Sequence, residues 1–166
     1  MMLWPSIALL SFVTLQRLAE LVYARRNTAA LLARGAREYA GAHYPFMVAM
    51  HAAWLIGLWL LAIGRPVDPV WFGLFMLLQG LRLWVLATLG ERWTTRIIIL
   101  PGAPLVRKGP YRFLSHPNYA IVVGEIAVLP LAFGMPLYAA IFSVLNGIIL
   151  AVRIRAENAC LKQSAT

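Results

Sequence analysis

Apolar runs of about 20 residues, separated by short polar or glycine–proline breaks, dominate this chain. A helix needs about 20 mostly apolar residues to cross a hydrocarbon layer about 30 Å thick. Three such runs occupy residues 3–24, 44–63 and 70–89. The first carries Gln16, Arg17 and Glu20 near its end and no small-residue cleavage pattern follows, so it reads as a span and not as a leader peptide. Gly64-Arg65-Pro66-Val67-Asp68-Pro69 makes a tight reversal between the second and third runs. Further on, the apolar sequence divides at Gly134-Met135-Pro136 into residues 120–133, which contain Pro130, and 137–152. Both pieces are short for a span, and together they predict a helical hairpin. The pattern predicts an all-α integral membrane protein of about five transmembrane helices in one domain. Three N-terminal spans (1–89) precede a loop (90–119), the hairpin (120–152) and a polar C-terminal helix (153–166).

Composition agrees with this class. The chain is 61% hydrophobic and 13% charged, with a mean hydropathy of +0.75, against about 45–50% and about 25% in soluble domains. One cysteine, Cys160, excludes an internal disulfide, and His43, His51 and His116 are too scattered to argue for a metal. The net charge of +9 raises the question of nucleic acid, but the basic residues lie at the ends of apolar runs and not in an aromatic-interleaved patch. They follow the first run (Arg25, Arg26, Arg34, Arg37), the third (Arg92, Arg96, Arg107, Lys108, Arg112) and the last (Arg153, Arg155, Lys162), twelve of the 15 in all. Positive-inside bias therefore places the N-terminus outside and the C-terminus in the cytoplasm, with membrane lipids and not nucleic acid as the basic residues' partners. Frequent alanine, leucine and arginine point to a bacterial cytoplasmic membrane.

Charges within the runs need partners. Arg17 and Glu20 have the i, i+3 spacing of a helical pair, and Gln79 shares a face with Arg82. Glu125 either pairs with Arg82 or helps to line a cavity. His51 reads as a hydrogen-bonded packing residue, His43 as interfacial, Cys160 as inert, and the six tryptophans as headgroup belts or packing.

Spanning a bilayer does not explain the polar block from Lys108 to Tyr119, nor the cluster Arg153-Ile154-Arg155-Ala156-Glu157-Asn158 one hairpin later. Gly109-Pro110-Tyr111 starts a turn, and Pro117 keeps His116 out of helical geometry. Pro117 then opens the next helix, with Asn118 and Tyr119 just inside. Such a start offers free amides and a positive dipole end to an anion. The plainer alternative is an interfacial re-entry loop. No Gly-x-Gly-x-x-Gly, P-loop or Gly-x-Ser-x-Gly motif is present.

Gly109-Pro110-Tyr111-Arg112, His116-Pro117-Asn118-Tyr119 and Arg153-Ile154-Arg155-Ala156-Glu157 together resemble the isoprenylcysteine carboxyl methyltransferase family. The resemblance covers about residues 93–161. It implies S-adenosylmethionine as methyl donor, held at the cytoplasmic face by Gly109, Pro110, Tyr111, His116, Pro117, Tyr119 and Glu157. Arg155 orients the acceptor's anionic oxygen in this reading, and His116 or Glu157 takes a proton where the acceptor is a phenol. Ser115, Ile121 and Asn158 depart from the family pattern, which has arginine, glycine and a second acidic residue there. The segment from Thr95 to Pro101 and the run Ala156-Glu157-Asn158 look closer to bacterial relatives that O-methylate long-chain alkylpyrones.

A sulfonium-activated methyl group mainly requires alignment with an anionic oxygen, and alignment is worth about 7–11 kcal/mol of barrier. The expected acceptor is lipophilic, prenylcysteine-like or alkylpyrone-like, entering from the bilayer between the third and fourth segments, where Gly73, Gly80 and Gly124 leave space. The competing readings are an NADPH-dependent membrane reductase related to sterol reductases, and a non-enzymatic small membrane partner protein.

Overall fold

The computed structural model describes residues 3–39 and 41–164, with side chains as far as Cys160. Helices make up 77% of it, so the all-α membrane class holds. They are α1 (Leu3–Ala33), α2 (Tyr44–Leu61), α3 (Pro69–Leu89), α4 (Pro117–Ala132) and α5 (Pro136–Ser164). Local chemistry sets where they begin and end. A side-chain oxygen of Asp68 caps α3, accepting from the amides of Val70 at 2.9 Å and Trp71 at 3.1 Å, while Pro69 stands where no amide is needed. Pro117 opens α4 in the same way, with His116 held out of the helix at φ −132°, ψ 63°. Gly134, at φ 65°, ends α4 and turns the chain into α5.

Three boundaries differ from the sequence reading. Only α1, α2, α3 and α5 among the described helices are long and apolar enough to cross a membrane; α4 has 16 residues. The fifth span and the polar C-terminal helix are one unbroken element of 29 residues, because nothing from Arg153 to Asn158 interrupts a helix. Helix α1 likewise continues to Ala33. Two short strands were also unforeseen: β1 (Arg37–Tyr39) pairs antiparallel with β2 (Ile97–Ile99), with Glu38 opposite Ile98. Arg96 reinforces the pair, reaching Glu38 at 2.9 Å. This clasp joins the end of α1 to the chain after α3.

The main core gathers Leu10, Val13, Trp54, Leu58, Phe75 and Leu129 from four helices. A smaller cluster at the other end unites Ala24, Val85, Trp93 and Ile121, with Leu89 and Tyr111 packed against it. Leu15, Leu60, Leu77, Leu83 and Ile148 face outward, as lipid contact requires.

Between the clusters lies a charged centre. Arg82 grips Glu20 through Nε at 2.5 Å and Nη2 at 2.9 Å, and reaches Glu125 through Nη1 at 2.7 Å. Arg17 bonds the same two carboxylates, Glu125 at 2.7 Å and Glu20 at 3.1 Å. Gln79 donates to Glu125 at 2.8 Å. Two cations and two anions cancel, which makes burial within the bilayer tolerable. Of the two readings for Glu125, the structure selects pairing. His51 bonds the Met47 carbonyl at 2.8 Å, as a packing histidine does.

Of the three glycines expected to leave space between α3 and α4, Gly124 is packed, since a Cβ there would meet Leu78 at 3.0 Å, whereas Gly73 and Gly80 have no neighbouring atom within 4 Å of such a Cβ.

Candidate active site

Three segments wall a cavity of about 560 Å³ at the end of the bundle where α1 and α3 finish and α4 begins. They are the stretch from Arg92 to Arg107, the turn and helix start carrying Tyr111, His116, Asn118 and Tyr119, and the last described turns of α5. Gly109 allows the turn to sit this close. It lies at φ 57°, and a Cβ there would come within 2.5 Å of the Thr88 hydroxyl on α3.

A chain of bonds organises the polar wall. Arg153 Nε donates to the Tyr119 hydroxyl at 2.8 Å, and that hydroxyl donates to Glu157 Oε2 at 2.5 Å. The remaining guanidinium nitrogens of Arg153 reach the Thr95 carbonyl at 2.7 Å and the Met47 sulfur at 2.8 Å. His116 stacks on Tyr119 with ring centroids 5.2 Å apart, and its Nδ1 lies 3.8 Å from Glu157 Oε2. Burial pushes the Tyr111 phenol up to about 12, with the negative charge of Glu157 adding to the effect. Tyr111 is therefore a neutral hydroxyl at working pH and no base.

Tyr111, His116, Tyr119 and Glu157, expected to meet, all line this cavity. Gly109, Pro110 and Pro117 do not; they shape the turn and the helix start, with both prolines buried. Arg155 is exposed and lies outside the cavity wall. Helix geometry supplies the reason: Arg153 and Glu157, four residues apart, share a face of α5, and Arg155 points about 200° away from Arg153. Arg153 is the arginine of this cluster that lines the cavity, and its i, i+4 spacing to Glu157 was the signal. Trp93 and Asn118 were also missed. Trp93 Nε1 and Asn118 Oδ1 are buried without partners at the cavity wall.

The model of the isoprenylcysteine carboxyl methyltransferase (ICMT) family matches residues 71–163, more than half the chain and nearly all of the cavity wall. The chain belongs to the ICMT family. Membership makes it a membrane methyltransferase in the general sense. Over nearly its full length it is similar to the uncharacterized protein YpbQ of Bacillus subtilis, 37% identical over 167 residues and 98% of each chain. It is also similar to an uncharacterized protein of Haemophilus influenzae, 27% identical over 147 residues, 82% of this chain and 83% of that one. No solved structure matches it.

Proposed function

We propose that this ICMT-family protein is an S-adenosylmethionine-dependent O-methyltransferase acting on a lipophilic acceptor at the cytoplasmic face of a bacterial inner membrane. The observation that carries the reading is the meeting of Tyr111, His116 and Tyr119 with Glu157, 38 residues beyond Tyr119, around one cavity. Its volume falls within the range of about 300–1,000 Å³ usual for small-molecule sites. The wall also suits the donor chemically. Glu157 and the unpartnered Asn118 Oδ1 are acceptors for amino or hydroxyl groups, and Arg92, itself bonded to the Pro104 carbonyl, brings positive charge toward a carboxylate. Positive-inside bias supports the cytoplasmic orientation.

When bound, the donor supplies a methyl group already activated on sulfonium sulfur. The protein's share is alignment. Arg153 locks the Tyr119 hydroxyl, which fixes one oxygen of Glu157 and leaves Oε1 to a ligand. The leucine and isoleucine side chains of Leu89, Ile97, Ile99 and Leu100 supply apolar lining. A carboxylate acceptor needs no base; His116 takes the proton of a hydroxyl acceptor.

Equilibrium binding of tritiated S-adenosylmethionine and of NADPH to the purified protein tests this. Saturable binding of the first, lost in Glu157→Ala, is the expected result. NADPH binding alone overturns the reading in favour of a reductase, and binding of neither overturns it in favour of a non-enzymatic partner. Mass spectrometry of lipid extracts, with and without the protein, then finds the acceptor as a species gaining one methylene mass.

A further inference from the structure

The connection from α3 to α4 carries three large apolar side chains turned out to solvent. Phe113 is 74% exposed, Leu105 64% and Leu114 53%. Soluble loops do not spend large apolar residues this way, and a contiguous exposed set marks a contact surface. Three exposed cations, Arg107, Lys108 and Arg112, stand among them, with the Arg112 guanidinium 5.9 Å from the Phe113 ring.

The depth of this segment is fixed by its packing. The short helical turn Gly109–Arg112 lies along the end of α3: Gly109 faces Thr88, and Tyr111 packs, as Leu86 and Leu89 do, against the buried cluster that holds Val85. Those α3 residues belong to a span that runs to Arg92. Three residues after Leu114, Pro117 starts α4 back into the apolar bundle. The exposed side chains therefore lie beside the last turns of a candidate span. Water alone does not suit them there, and neither does the hydrocarbon centre.

We propose that residues 105–114 form an anchor in the cytoplasmic leaflet, with Phe113, Leu114 and Leu105 inserted among acyl chains and Arg107, Lys108 and Arg112 paired with anionic phospholipid headgroups. Apolar insertion with flanking cations is how interfacial segments bind anionic membranes. The same stretch walls the cavity, since Leu105, Val106 and Arg107 line it. The leaflet thus holds one wall of the site. This inference goes beyond the proposed function and holds whatever the cavity binds.

Nitroxide labels report depth directly. In the full-length Cys160→Ala protein, single cysteines replace Phe113 or Leu114, and Leu83 and Glu91 serve as lipid-facing and water-facing standards. The labelled proteins go into vesicles of phosphatidylcholine alone or mixed with phosphatidylglycerol. Labels at 113 and 114 should show collision with oxygen near that of Leu83, with more than fivefold protection from a water-soluble nickel chelate relative to Glu91. Phosphatidylglycerol should deepen them, and Arg107→Glu, Lys108→Glu and Arg112→Glu combined should abolish that deepening. Nickel access equal to Glu91 overturns insertion. Spin–spin broadening with poor access to both reagents overturns it in favour of a second copy of the chain. Depth independent of phosphatidylglycerol, or deepening kept in the charge-reversed variant, overturns the anionic-lipid assignment.

Discussion

Tyr119 donates its hydroxyl hydrogen to Glu157 across 2.5 Å, joining the start of α4 to the last turns of α5. Neither partner is free of the other. The same hydroxyl accepts from Arg153, so removing it takes away one bond from Arg153 and one from Glu157. Tyr119→Phe should weaken S-adenosylmethionine binding about tenfold, equivalent to about 1.4 kcal/mol, and lower stability by about 1–3 kcal/mol. Isothermal calorimetry and thermal unfolding in detergent measure the two effects separately.

The two arginines of α5 should behave differently. Arg153→Lys keeps a charge but cannot serve Tyr119, Thr95 and Met47 together, so donor affinity should drop at least tenfold. Arg155→Ala, exposed and outside the cavity, should stay within twofold of the parent. A tritiated-donor binding assay compares the two variants, and a loss of methyl transfer in Arg155→Ala with donor binding kept would restore the role first read from the sequence.

Within the bundle, Arg82→Ala should destabilise by about 3–5 kcal/mol, because Glu20 and Glu125 lose their central partner in a buried site. Arg17→Ala should do less harm. Its side chain is 22% exposed against 6% for Arg82, and Arg82 still holds both carboxylates. Midpoints of denaturant unfolding in mixed micelles should rank the variants in that order.

Gly109→Ala meets two obstacles, a positive φ of 57° and the Thr88 side chain. A loss of about 1–3 kcal/mol is expected. Adding Thr88→Ala should recover only the steric part, which a double-mutant cycle on melting temperatures resolves.

The pH behaviour of Tyr111 has a definite sign. Its phenol ionises near 10 in the unfolded chain and is pushed up to about 12 in the fold. The stabilisation is complete below about 10 and is lost as pH rises toward about 12. Tyr111→Phe should therefore show a shallower fall in stability across that window than the parent, with no difference between them in slope from pH 6 to 9.

Much of this architecture was legible because lipid imposes a coarse rule: apolar runs of the right length become helices. Residues 44–63 and 70–89 became α2 and α3 with shifts of two residues or fewer. Lengths failed where polarity was mistaken for an ending, as in α5, whose polar last turns stay helical. The three-residue strands failed for lack of any period to detect. At the site, the turn and helix start were readable because proline and glycine limit the backbone locally. Arg153 was passed over although its spacing to Glu157 carried the answer. The packing of Gly124 against Leu78 was not legible, since a glycine alone does not say whether it makes room for a ligand or for a neighbouring leucine.

The ion pairs at the heart of the bundle also bear on how the chain is put together during synthesis. Glu20 emerges from the ribosome 62 residues before Arg82, so the cation of α3 finds an anion already embedded when it arrives. Glu125 comes 43 residues after that, on the one described helix too short to cross unaided. Two guanidinium groups are by then waiting for it. The order of translation therefore matches the order in which the charges can be neutralised, and the shortest of the five helices follows both arginines that hold its carboxylate.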